Sequence, residues 1–359
     1  MDRSEIAPLT GLRAFAALAV VLYNHRVLLH SALPGLPAGV GTQGYLGVDV
    51  FFVLSGFVLA LNYGGRIHSG RDYFEFVGYR VARLYPLHLF TLAAVLVMVH
   101  GALSLGFTVY SPHRFVIDRQ LLLHVLMIHS WGFEEGLRYN LPSWSISAEF
   151  FAYLLFPLFW ALTARFSRPR LAGLAAPLAV ATSVLILAAL GHENLHVSTK
   201  HTLIRVSGAF LAGCLVYRAR ALGGPPARWL ETLLLWGVLA VAISPWADPV
   251  MAVAACALIY ALTGGQQSLL ARPFSWAPVV WLGRISYSIY LVHLPVASVL
   301  NRLAPHLIGP DTPAWGGVAL VALDALLVIG VAAACYYAVE LPGRRVLRSS
   351  VRRLAGYPA

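Results

Sequence analysis

Four side chains able to move protons lie in otherwise apolar stretches: His25 in LTGLRAFAALAVVLYNHRVLL, Asp49 in GYLGVDVFFVLSGFVLALNY, Glu149 in PSWSISAEFFAYLLFP and His293 in WLGRISYSIYLVHLPVASVL. An acid at the centre of a membrane span costs roughly 2.5 to 3.5 kcal/mol, so each ionisable group there is a candidate for function and for a partner in the bundle interior. An imidazole with an ordinary pKa of about 6.5 takes a proton from a hydroxyl and returns it to a leaving group, and a neighbouring carboxylate fixes its orientation. The chemistry these types suggest is general-base catalysis on an alcohol.

Arginines mark the other ends of the same stretches. Arg13 stands twelve residues before His25, about 18 Å along a helix, and Arg284 stands nine before His293, about 14 Å. Arg80 and Arg83, three apart in YFEFVGYRVARLYPLHLF, share a helix face and form a fork for phosphate. Tyr85 and Pro86 are expected to set the start of that helix and hold the fork. Trp144 and Ser145 open the stretch that carries Glu149, and Tyr287, Tyr290 and His293 line one face. Ordinary duties compete at each position: Asp49 as a helix cap, Glu149 against a helix dipole, Trp144 in an aromatic belt at the interface, the arginine pair as positive-inside anchors. His293 competes as a structural histidine, with Asp324 a candidate partner. Gly44, Gly47 and Gly56 suit close helix contact.

Spans must position these groups, and the composition supplies them. With 59% hydrophobic and 11% charged residues, the chain reads as an all-α, polytopic membrane helix bundle of about ten transmembrane helices. The spans expected are 9–29, 43–62, 84–104, 144–164, 171–190, 202–217, 229–244, 249–264, 279–300 and 315–339, in a single membrane-embedded domain over 1–359 with no fused soluble domain. Basic residues concentrate in alternate connections, as in Arg66, Arg71, Arg80 and Arg83 and again from Arg344 to Arg353, so the positive-inside rule places both termini in the cytoplasm. A cleaved signal peptide over residues 14–23 would put those charges on the wrong side. The short apolar segment from Gln120 to Trp131 is expected to be interfacial or re-entrant on the outer side.

The net charge of +11 sits in short loops rather than on one amphipathic face, which argues against a nucleic-acid partner. Cys214, Cys256 and Cys335 fall in spans without ligand spacing. His113, His124, His129, His192, His196 and His201 have spacings compatible with a metal, but only Glu193 stands near to complete a set, and no metal site is expected. Lys200 is the one lysine among 26 basic residues, a bias that suggests a GC-rich bacterial genome.

The stretches LTGLRAFAALAVVLYNH, GYLGVDVFFVLSGF, YRVARLYPL, PSWSISAEFFAYLLFP and LGRISYSIYLVH occur in an order that resembles the acyltransferase-3 family of integral membrane O-acyltransferases. The resemblance covers the first four spans and the ninth. It implies an enzyme of the bacterial cytoplasmic membrane that takes an acyl group, most often acetyl, from acyl-coenzyme A on the cytoplasmic side. The acceptor is a hydroxyl of a surface glycan, a cell-wall sugar or a secreted metabolite. Arg13, Arg80, Arg83, Tyr85 and Arg284 would then hold the donor, and His25, Glu149, Asp49 and His293 would carry the chemistry. Asn24, Trp144, Ser145, Tyr287 and Tyr290 would line the substrate path. The family histidine falls eleven residues after the arginine, and that position here is Asn24; His25 lies about 100° further round an ideal helix. Either a π-bulge turns His25 inward or the chemistry is altered in this protein; His25 is the expected base, with Glu149 and then Asp49 as its expected partner. A covalent acyl-histidine is a variant of the same chemistry. The rival class is a proton-coupled secondary transporter, against which the lack of inverted repeats counts.

Overall fold

In lipid every backbone N–H and C=O must be satisfied within its own segment, so apolar runs of this length fold as helices. The computed structural model describes residues 5–133, 136–193, 195, 197–224, 247–263, 271–307 and 313–356. All regular structure among them is helical: α1 Ala7–Asn24, α2 Arg26–Ala32, α3 Gly47–Tyr63, α4 Gly70–Ser104, α5 Gln120–Val125, α6 Ser143–Leu154, α7 Phe156–Ala164, α8 Pro169–Ala189, α9 Thr202–Ala221, α10 Ala247–Leu262, α11 Ala271–Phe274, α12 Ala277–Arg284, α13 Ser286–Leu307, α14 Ala314–Cys335 and α15 Leu341–Leu354. A π-helical turn, Tyr336–Glu340, joins α14 to α15.

The chain is a multi-pass membrane protein. Among the described residues 6 helices are long and apolar enough to cross, or up to 8 if each bent pair is one span, against the ten expected. The stretch expected at 229–244 lies outside the described residues, and the one at 249–264 is the shorter α10. Two expected spans are bent rather than straight: α6 and α7 meet at 58°, and α12 and α13 at 68°. The segment after Gln120 forms the six-residue α5, too short to cross.

Two helices overshoot a hydrocarbon layer of about 30 Å. α4 starts well before the expected 84, at a capping box in which the Ser69 hydroxyl accepts from the Asp72 N–H and the Asp72 carboxylate accepts from the Ser69 N–H. Its 35 residues are about 52 Å long. Pro86 therefore does not set the start of this helix but lies inside it. The run Trp315–Leu354 is continuous over 40 residues, about 60 Å. Its last part, α15, packs on α4, where a Cβ at Gly78 would meet Val351 and one at Gly343 would meet Pro86. At the centre α3 and α9 interlock, because a Cβ at Gly56 would collide with the Phe210 carbonyl and one at Gly213 with that of Val53. Gly44 and Gly47 sit likewise against the carbonyls of Ala19 and Ala16 in α1.

Candidate active site

The first expected span breaks at its histidine. α1 ends at Asn24 and α2 begins at Arg26, leaving His25 between them at φ −95° and ψ 5°. Asn24 donates its amide to the Val20 carbonyl of its own helix, and Arg26 donates to the Tyr23 carbonyl and stacks over the Tyr23 ring at 4.3 Å. The reorientation expected from a π-bulge comes instead from this one-residue break, and His25 is buried while Asn24 remains half-buried.

His25 Nδ1 lies 2.6 Å from Asp324 Oδ2 in α14, and Nε2 lies 3.2 Å from the His293 carbonyl oxygen. The carboxylate accepts from Nδ1–H, which fixes the ring; Nε2 bonds the His293 carbonyl only as N–H, and serves as a base only in the neutral tautomer with that contact broken. The rings of His25 and His293 stack at 5.8 Å. His293 Nδ1 lies 2.7 Å from the Tyr290 carbonyl, and its buried Nε2 has no hydrogen-bond partner among the described residues. Asp324, a candidate partner of His293 on sequence, thus serves His25.

The two carboxylates expected to orient His25 are engaged elsewhere. Asp49 takes a two-pronged ion pair from Arg205 of α9, at 2.9 and 2.6 Å, with both residues buried. It makes no side-chain cap either. Trp144 is buried rather than placed in an interfacial belt, and Arg205 lies 5.3 Å above its ring. Glu149 accepts from Ser55 at 2.5 Å and from Tyr153 at 2.6 Å. Ser145 donates to the Tyr290 hydroxyl at 2.7 Å, and Tyr287 donates to the Leu84 carbonyl.

At the far end of α1 from His25, a cavity of about 1100 Å³ opens between α1, α4, α12 and α15. Arg13, Arg80, Arg83 and Arg284 all line it. A narrow cavity of about 120 Å³ shares Arg13, Leu54, Val58, Arg80 and Arg83 with the wide one, and runs past Ser55, Glu149 and Tyr153 to Tyr287, Ser145 and Tyr290. The Tyr290 ring is 5.9 Å from that of His293, and so stands one side chain short of the histidine pair. His25 itself lines neither cavity.

The arginines differ in how they are held. Arg83 is ion-paired with Glu340, which also accepts from Ser288 at 2.8 Å. Arg80 donates to the Tyr63 hydroxyl and lies over the rings of Tyr63 and Tyr153. The two do not form an open fork, since Arg83 has an internal carboxylate. Arg13 is half-buried and its Nε has no hydrogen-bond partner among the described residues. Arg284 ends α12 at the bend and pairs in solvent with Glu5, whose carboxyl that hydrogen bond holds below the usual carboxylate range. Tyr85 lines neither cavity and packs edge-on against His88 and Phe150.

Two groups at this site, Arg205 and Glu340, were missed from sequence. Arg205 is an intramembrane cation opposite Asp49, a signal of charge in an apolar run that was present in the sequence. Glu340 closes the apolar run of α14 but is aimed inward by the π-helical turn, which the sequence does not announce. Of the outer histidines, His124 and His129 stack at 3.8 Å, His192 lies 2.9 Å from His201, and His196 falls outside the described residues.

The family model described as an acyltransferase domain, acyltransferase-3, matches residues 6–337. Acyltransferase MdmB of Streptomyces mycarofaciens is 30% identical over 385 aligned positions, covering 96% of this chain and 92% of that protein. A putative peptidoglycan O-acetyltransferase, YrhL of Bacillus subtilis, is 28% identical over 81% of this chain and 48% of its own length. O-acetyltransferase OatA of Staphylococcus aureus is 23% identical over 94% of this chain and 57% of its own length. The chain thus spans about half the length of the last two. No solved structure matches.

Proposed function

Because the chain belongs to the acyltransferase-3 family, we propose that it is an O-acyltransferase moving an acyl group, acetyl first, from acyl-coenzyme A to a hydroxyl of a sugar, glycan or secreted metabolite. The observation that carries this reading is the pair of connected cavities, whose basic mouth narrows to a passage that reaches Tyr290, one side chain short of His293 and His25. The arginine end suits the phosphates of the donor, with Arg13, Arg80 and Arg284 on its walls, and the passage suits an extended pantetheine arm. A relative named as a peptidoglycan O-acetyltransferase supports a glycan acceptor, and the bacterial relatives support the cytoplasmic membrane of a bacterium as the location.

In this mechanism the acceptor hydroxyl displaces the His293 carbonyl from His25 Nε2. His25 takes the hydroxyl proton while Asp324 holds the ring, the oxygen attacks the thioester carbonyl, the C–S bond breaks as the ester forms, and the proton passes from His25 to the departing thiolate. Tyr290 and Ser145 close the passage on the donor side, and Glu149 orders Ser55 and Tyr153 along it. The positive-inside rule puts the arginine end in the cytoplasm, and a reporter fused after Gly356 should report cytoplasm; a periplasmic signal would reverse the orientation.

The test is transfer by the purified protein in nanodiscs, given acetyl-coenzyme A labelled in the acetyl group and extracts of surface glycans and secreted metabolites. Label in an ester-linked product, with free thiol released in equal amount, is the expected result. No acceptor-dependent thiol release from any extract would remove the donor assignment.

A further inference from the structure

The wide cavity is more basic than the donor-binding arginines named so far account for. Among the described residues ten arginines line it against two carboxylates, Glu5 and Glu75. Glu5 is bonded to Arg284, and Glu75 accepts from Tyr79. Half of the ten come from one helix, α15: Arg344, Arg345, Arg348, Arg352 and Arg353.

The fold aims this helix. The packing of Val351 on Gly78 and of Gly343 on Pro86 fixes one side of α15 to α4, and Arg348 lies 4.9 Å above the Tyr79 ring. On a helix of 100° per residue, Arg344, Arg345, Arg348 and Arg352 then fall on the adjoining side, facing the cavity. From Arg344 to Arg352 is about 12 Å along the axis. Arg345, Arg352 and Arg353 are in no ion pair among the described residues.

Like charges gathered around one space repel, and guanidiniums that line a shared cavity, three of those on α15 exposed, favour an anionic occupant of comparable charge. We propose that α15 is the phosphate-binding wall of this cavity and takes the phosphate groups of a multiply phosphorylated ligand, a nucleotide-bearing donor before an anionic lipid headgroup. The identification of that ligand as the donor rests on the acyl-coenzyme A reading above. Arg83, neutralised by Glu340 deeper in, then marks the start of the narrow passage, and the phosphates stay outside it with α15.

The experiment is calorimetric titration of coenzyme A into the full-length protein in phosphatidylcholine nanodiscs, for the wild type, for Arg345→Gln/Arg348→Gln/Arg352→Gln, and for the same three positions changed to Lys. The wild type should bind, with adenosine 3′,5′-bisphosphate competing and adenosine not. The glutamine variant should bind about tenfold or more weakly, and the lysine variant, which keeps the charge, within about threefold of wild type. Should the triple glutamine variant not fold, the exposed Arg352→Gln alone should weaken binding about threefold, and an unchanged affinity there overturns the proposal. Wild-type affinity in the folded triple glutamine variant overturns it too, while leaving the donor reading standing. If the wild type itself fails to bind coenzyme A, the donor reading falls, and nanodiscs containing phosphatidylglycerol decide the rest. A rise in melting temperature for wild type but not for the glutamine variant keeps the phosphate wall with lipid as its source; equal behaviour of the two removes it.

Discussion

The two ends of this bundle treat charge in opposite ways. At the histidine end every buried carboxylate described has a partner from another helix: Asp324 has His25, and Asp49 has Arg205. At the arginine end, among the described residues, ten guanidiniums share a space of about 1100 Å³ with two carboxylates. A buried group must be satisfied by the protein itself, because no water is there to do so, whereas a group facing an open cavity can wait for a ligand. The first end is therefore finished as to its carboxylates, with His293 Nε2 left without a partner among the described residues, and the second is built to be completed by a polyanion.

Breaking the finished end should cost most. Asp324→Asn removes the carboxylate that holds His25 in one tautomer and stabilises its protonated form, and turnover should fall about 10²-fold to 10⁴-fold, as for other removals of an acid–base element. Since both residues act as one unit, Asp324→Asn combined with His25→Ala should be no worse than His25→Ala alone in an acyl-transfer assay. An additive loss would separate them. Arg205→Ala leaves Asp49 buried and unpaired and strips a cation from Trp144, at a cost to stability of about 3–5 kcal/mol, measured by unfolding in detergent. Replacing both partners, as in Asp49→Leu/Arg205→Met, should recover much of that loss. If Arg205→Ala is as stable as wild type, the pair is not the structural strut it is taken for here.

Much of this contrast was legible in the sequence and some was not, for physical reasons. His25, His293, Glu149 and the arginine stretches stood out because ionisable groups in apolar runs are costly, and the close-contact glycines were readable from span composition. Pairings across the bundle were not legible: Asp324 meets His25 only because of the break between α1 and α2, a bend no periodicity foretells. Helix ends were misjudged where helices leave the membrane. α4 runs unbroken from Gly70 past residue 84, so hydropathy marks the lipid boundary near 84 rather than the cap at Ser69. α15 was read as loop charge for the same reason.

At the open end single changes should weigh less. Arg80→Lys keeps the charge but loses the planar contact with Tyr63 and Tyr153, and donor affinity should fall about tenfold with folding intact. Unchanged coenzyme A binding would take Arg80 out of the site. The exposed Glu5–Arg284 pair should matter least, at under about 1 kcal/mol. Glu5 has its carboxyl lowered by Arg284, so this contribution is present above the ordinary carboxylate range and is lost as pH falls through the lowered value. Melting curves of Glu5→Gln and wild type should differ slightly at pH 7 and converge in acid; a gap that widens on acidification would contradict that sign.

The proposed mechanism has His25, and not Asn24 at the family spacing, take the acceptor's proton while the donor is held at the other end. It is tested most directly by measuring coenzyme A affinity and acyl-transfer turnover on the same nanodisc preparations of His25→Ala and Asn24→Ala. His25→Ala should bind the donor as wild type does and lose about 10²-fold to 10⁴-fold in turnover, with Asn24→Ala losing far less. Full turnover in His25→Ala, or an equal loss in Asn24→Ala, would contradict it.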